Sequence, residues 1–143
     1  MTEVRVAQRL ANPADLVWAM IGDFGGLHRW HPQVRGVDLS WEGRIRTVHY
    51  ADGTRAVERL EARSDAMRRY VYVVVDGRVP VNNCRATLHV TDSDGGSTVM
   101  WSCEFEPLGD GEASACKALH AYYHEGLVAL VSALDNSVTW SRD

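Results

Sequence analysis

Apolar and polar residues alternate near the start of the chain, with Val4 and Val6 set against Arg5 and Gln8, which predicts a short strand over residues 3–10. Asn12-Pro13 then reads as a helix start, with Asn12 as N-cap and Pro13 at the first helical position. Leu16, Val17, Met20 and Ile21 follow at helical spacing, and Gly22 can close that helix. A second short helix is expected over residues 27–31, stopped by Pro32. Beyond Pro32 the period becomes two. Val37, Leu39 and Trp41 alternate with Gly36, Asp38 and Ser40. Further strands are expected over residues 45–50, 55–63, 69–75, 81–91 and 98–106, separated by turn signals such as Asp52-Gly53 and Asp94-Gly95-Gly96. The period returns to 3.6 over residues 112–134, where Ala115, Leu119, Tyr122, Tyr123, Gly126, Leu127 and Leu130 share one broad side.

The order is one strand, two short helices, six strands and one long helix. Runs of strands with segregated helices define an α+β domain with an antiparallel sheet. A seven-stranded sheet covered by one helix must curl around it, and the helix cannot fill the curl. A cavity able to host a ligand is the expected consequence.

The 143 residues suit a single domain over 1–143, and 45% hydrophobic content supplies a core. A net charge of −4 without a long basic run gives no footprint for nucleic acid or for a membrane surface. No stretch is apolar enough to span a bilayer, and the charged first ten residues do not read as a signal peptide. Cys84, Cys103 and Cys116 are odd in number and widely spaced, so they read as reduced apolar residues of a cytoplasmic protein, with neither a disulfide framework nor a zinc pattern. His120 and His124 have the i, i+4 spacing of a metal pair but no acidic partner in HAYYHEG, so no metal and no cofactor is expected. His31 could reach the cavity mouth or serve a helix end. Nothing in the spacing implies a Ser-His-Asp or Cys-His arrangement. The expected partner is a small hydrophobic molecule, and the chain is expected as a monomer or homodimer.

The ordered strings NPADLVWAMIGDFGGLHRWHP, VERLEARSDAMRRYVYVVVDGRVPVNNCRATLHV, STVMWSCEFEP and YYHEGLVAL resemble the START/Bet v 1-like (SRPBCC) superfamily, in particular its bacterial polyketide cyclase/dehydrase branch. They are also similar to the plant abscisic acid receptors. The resemblance implies the helix-grip fold, a curved sheet around a long C-terminal helix. It covers nearly the whole chain and speaks for fold more than for chemistry.

Strand alternation then selects the residues that face the helix. Cys84, Ala86, Leu88 and Val90 form the apolar set of one strand, and Val99, Trp101, Cys103 and Phe105 that of the next. For residues 69–75 both sets are apolar, and the resemblance favours Tyr70, Tyr72 and Val74 inward. The inward set of residues 55–63 carries Glu58, and the parity of Leu39 includes Arg35. Glu58 and Arg35 are therefore expected to enter the cavity, where each needs a partner because an unpaired buried charge costs several kcal/mol; they could pair directly or through water, the alternative being that Glu58 bonds backbone and Arg35 reaches solvent at the strand end. The abscisic acid receptor resemblance places polar pocket residues at these two positions. Leu119 and Tyr122 should face the sheet, and mid-helix Gly126 should leave room for a ligand or for Trp30. The loops at 51–54 and 76–80 are expected to flank the mouth.

The function expected from the resemblance is cyclisation, dehydration or related acid/base chemistry on a polyketide-like or aromatic-like molecule. In that reading Glu58 is the acid/base group. Arg35, Tyr72 and Tyr122 stabilise developing negative charge, and Trp30, Leu39, Tyr70, Val74, Cys84, Ala86, Leu88, Trp101, Cys103, Leu119 and Gly126 line the binding site. The alternative is a carrier or sensor of a hydrophobic metabolite without catalysis.

Overall fold

Hairpin signals joined by short turns predict neighbours in space, and the computed structural model shows one antiparallel sheet in the order β1-β7-β6-β5-β4-β3-β2. The strands are β1 (Thr2–Leu10), β2 (Val34–Ser40), β3 (Ile45–Tyr50), β4 (Arg55–Ser64), β5 (Arg69–Asp76), β6 (Val81–Ser93) and β7 (Gly96–Pro107). Two helices complete the fold, α1 (Ala14–Ile21) and α2 (Glu112–Ser141). The structure describes residues 1–141, with side chains placed through residue 135. The last two positions of the expected domain lie outside the described residues. This is the helix-grip arrangement. β1 and β2 lie at opposite sheet edges, so the segment between them, with α1, crosses from one side of the sheet to the other.

That crossing segment departs from expectation in three places. Pro13, not Asn12, is the N-cap of α1, with ψ at 150° and a carbonyl that accepts from the N–H groups of Leu16 and Val17. Leu16 turns outward at 42% exposure, and Trp18 takes the buried place, its ring 6.0 Å from Tyr70. The second helix is a single 3₁₀ turn, Leu27–Arg29. His31 leaves the helical path because Pro32 follows it.

β2 departs further. Val34 pairs with Tyr50, but Gly36 pairs with His49, so Arg35 is an extra residue in a bulge. Arg35 is exposed and donates from Nη2 to the carbonyl of Ala51. Trp41 is not in the strand. It opens a tight turn at φ 52° and is 77% exposed.

The core forms where α2 meets β1 and β7. Val4, Val6, Val99, Trp101 and Phe105 are buried on the sheet side, facing Ala115, Leu119, Tyr123, Leu127 and Leu130 of the helix. Trp101 stacks on Tyr123 with centroids 4.4 Å apart, a contact worth about 0.5–1.5 kcal/mol beyond its burial. Gly126 makes room at this contact. A Cβ there would lie 2.4 Å from His31 Cδ2 and 3.1 Å from Trp101 Cζ3. The space therefore belongs to His31, neither to Trp30 nor to a ligand.

Candidate functional site

Away from β1 and β7, the sheet and α2 diverge around a cavity of about 450 Å³. Tyr50, Ala56, Glu58, Tyr72, Val74 and Cys84 form its sheet wall, and Leu119, Tyr122 and Tyr123 its helix wall. The loops 51–54 and 77–80 contribute Asp52, Thr54 and Arg78 at the mouth.

Glu58 is the acid at this site, 7% exposed, placed on the wall by the alternation of Ala56, Glu58 and Leu60. Its cation is not Arg35. The register of β3 and β4 sets Arg46 directly opposite Glu58, and Arg46 Nε donates to Glu58 Oε1 at 2.8 Å. Cross-strand partners share a face, so both side chains point to the helix side. Arg46 is 0% exposed. Its Nη1 donates to the Phe24 carbonyl at 3.0 Å and to the Tyr70 hydroxyl at 3.4 Å, while Nη2 has no partner among the described residues. The guanidinium carbon lies 4.1 Å from the Phe24 ring centroid and 4.7 Å from that of Tyr72. Burial opposes the charge of Arg46, but Tyr70 and Glu58 outweigh it and hold the group protonated. The pair thus brings a charge-compensated carboxylate to an otherwise aromatic wall.

Three phenols surround it. Burial raises the pKa of Tyr50, and raises those of Tyr72 and Tyr122 well above the ordinary value, so all three stay neutral donors. Tyr72 Oη accepts from Trp101 Nε1 at 3.1 Å, which leaves its own proton to donate. Tyr122 is steadied by His31, whose ring stacks on it at 4.2 Å. His31 Nε2 donates to the Tyr122 carbonyl at 2.9 Å, and Nδ1 accepts from the Gln33 N–H. Burial lowers the pKa of His31 to about 4, so the ring is neutral at pH 7.

Arg78 straps the mouth. Its guanidinium carbon sits 3.3 Å from the Tyr50 ring centroid. Nη1 lies 3.4 Å from Asp52 Oδ2, and Nη2 donates to Gln33 Oε1 at 3.1 Å. Gln33 in turn donates to Glu125 of α2 at 2.5 Å. Four separate segments meet over the opening.

The cavity brings together Glu58, Tyr72, Tyr122, Val74, Cys84 and Leu119 of the residues selected from the sequence. Two selections are corrected. Arg35 is outside because the bulge reverses its side. Leu39 keeps inward parity but is 50% exposed near the far end of its strand, in a separate shallow groove with Trp18 and Leu60. Trp30, Tyr70, Ala86, Leu88, Trp101, Cys103 and Gly126 sit in the packed interior beside the cavity and not on its wall. Arg46, Tyr50, Tyr123, Arg78 and the role of His31 were not selected. The parity test that found Glu58 would have found Arg46 and Tyr50, because Arg46, Val48 and Tyr50 form the inward set of residues 45–50. His120 and His124 are exposed with rings 6.1 Å apart, and no cluster of three metal-ligating side chains exists among the described residues. No helix among the described residues is long and apolar enough to cross a membrane.

This architecture, a curled sheet gripping a helix around an apolar cavity, defines the START/Bet v 1-like class. The chain belongs to the polyketide cyclase / dehydrase and lipid transport family, whose model matches residues 1–135. Members of that family bind small hydrophobic ligands. The chain is similar to MLP-like protein 423 of Arabidopsis thaliana, with 29% identity over 116 residues, 72% of this chain and 75% of that one. Among solved structures it resembles the protein XoxI of Bacillus cereus, with a TM-score of 0.90 and 31% identity over 94% of this chain and 96% of that one. A Thermobifida fusca protein solved by NMR gives a TM-score of 0.79 at 31% identity, covering 95% of each chain.

Proposed function

We propose that the cavity takes a small, mostly apolar molecule bearing carbonyl or hydroxyl groups, of the polyketide or aromatic type, and that Glu58 performs acid/base chemistry on it. The supporting observation is a single buried carboxylate on an aromatic cavity wall, fixed by Arg46 at 2.8 Å and surrounded by neutral phenol donors. Arg46 is a positioning residue in this reading: it takes the place expected of Arg35 as the partner of Glu58, and the stabilising of developing charge falls to the phenols. The hydroxyls of Tyr72 and Tyr122 donate to an oxygen that gains negative charge as a proton leaves the adjacent carbon. The cavity supplies the remaining advantage by holding one conformer of a flexible, carbonyl-rich chain, a contribution that can reach about 7–11 kcal/mol.

The pairing of Glu58 Oε1 with Arg46 favours a second reading, in which the carboxylate only accepts a hydrogen bond from a carried ligand. One experiment separates the two. The chain and its Glu58→Gln variant are incubated with poly-β-ketone thioesters and the products followed by mass spectrometry. Acid/base catalysis predicts at least a tenfold loss of turnover with retained binding of the same thioester. Binding without turnover in either protein selects the carrier.

A further inference from the structure

The turn between β2 and β3 carries a residue that its backbone does not favour. Trp41, Glu42 and Gly43 follow one another at φ 52°, 57° and 83°. Left-handed turns are ordinarily built from Asn, Asp or Gly, and a bulky side chain there costs free energy. Trp41 nevertheless holds the place, and it is the largest apolar side chain exposed among the described residues. The cavity does not use it, because this turn lies at the other end of the strands from the loops 51–54 and 77–80. Backbone strain at an exposed residue calls for a use outside the chain's own packing.

The same turn borders the shallow groove that holds Leu39. The groove encloses about 610 Å³, and Trp18, Phe24, Leu39 and Leu60 line it beside Gly43 of the turn. Its polar groups already satisfy one another. Asp65 Oδ1 accepts from Trp18 Nε1 at 3.1 Å and from Arg63 Nη2 at 2.8 Å, while Asp23 accepts from the Gly25 N–H and pairs with Arg29. What remains open is apolar surface, which suits an apolar guest. The charges beside it suit a second copy of this chain. Glu42 and Arg44 flank the tip of the turn, both exposed, opposite in sign and without an ion pair among the described residues. A two-fold axis at the turn sets Glu42 of each copy against Arg44 of the other, because an isologous contact occurs twice. The same axis carries each Trp41 toward the other copy's groove, since knob and groove lie side by side.

We propose that the chain self-associates as a two-fold dimer through this end of the sheet, with Trp41 of each copy seated in the other's groove and Glu42 paired with Arg44 across the axis. Both cavity mouths stay open, and the β2 edge stays unpaired. One aromatic anchor on each side makes a small interface, so the dimer is of the weak, reversible kind.

Sedimentation velocity on the full chain, from low micromolar to near-millimolar concentration, should show a monomer–dimer equilibrium. Trp41→Asn should weaken it at least about tenfold, while the melting temperature of the dilute chain holds or rises because Asn suits the left-handed backbone. Ala19→Arg, at an exposed helix position on the groove, should weaken it as well. Glu42→Arg should weaken the dimer by setting like charges across the axis, and Glu42→Arg with Arg44→Glu should restore it. A chain that stays monomeric at the highest concentration overturns the proposal. So does a dimer that survives Trp41→Asn, or one that the double charge exchange fails to restore.

Discussion

The hollow under α2 has two unlike halves. Toward β1 and β7 the helix and sheet touch, and every position is filled by side chains such as Trp101, Tyr123 and Leu127. Toward β3, β4 and β5 the same helix stands off, and the wall carries Glu58, Tyr50 and Tyr72 around empty space. A wedge of this kind separates two tasks. The filled half supplies stability by apolar burial and close packing. The open half can then keep a buried ion pair and a void, features that each cost stability in a solid core.

The comparison breaks most visibly at Arg46. Arg46→Met strands the Glu58 carboxylate and should cost about 3–5 kcal/mol in urea denaturation. Arg46→Met with Glu58→Leu should recover most of that loss, since no charge remains buried.

Acid should weaken the seam between the halves. The folded pKa of His31 is about 4 against 6.5 for the free side chain, so between these values the unfolded chain binds more protons. The stability due to neutral His31 is complete above pH 6.5 and drains away as pH falls to about 4, by about 3 kcal/mol in total. Denaturation curves across that window should show this slope, and His31→Gln should flatten it.

Steric substitutions sharpen the contrast. Gly126→Ala drives a methyl group against His31 and Trp101 and should cost about 1–3 kcal/mol despite the better helix propensity. Ala56→Phe points into the void. It should leave the melting temperature nearly unchanged and abolish fluorescence of 1-anilinonaphthalene-8-sulfonate in the cavity. Ala86, by contrast, lies fully buried between Tyr72 and Cys103, so Ala86→Phe should act as an overpacking change. The smallest effect is expected at the mouth. Arg78→Ala releases an exposed pair with Asp52, so stability should hold. The association rate of the same dye should rise by roughly twofold to fivefold in stopped flow.

Glu58 was legible because an acid among Ala56, Leu60 and Ala62 stands out on the apolar side of an alternating strand. The β6 and β7 faces were legible for the same reason. Arg35 marks where alternation fails, and Arg46 where it holds but is easily passed over. One inserted residue reverses parity at Arg35, and a bulge leaves no trace in a two-residue period. The alternation of residues 45–50 already sets Arg46 beside Val48 and Tyr50, but its buried charge is held by partners on other elements, Glu58, Phe24 and Tyr70, which that strand alone does not reveal. Arg78 was beyond reach. Its contacts join loops that only the finished fold brings together.

The bulge that expels Arg35 has a consequence at the rim of the sheet. β2 is an edge strand, and a straight apolar edge would invite a strand from another molecule to extend the sheet. The inserted residue kinks that edge and mounts a guanidinium on it, so the fold carries its own guard against aggregation. Removing Arg35 would straighten that border and leave Asp38 as its one charged side chain, more open to intermolecular β-pairing.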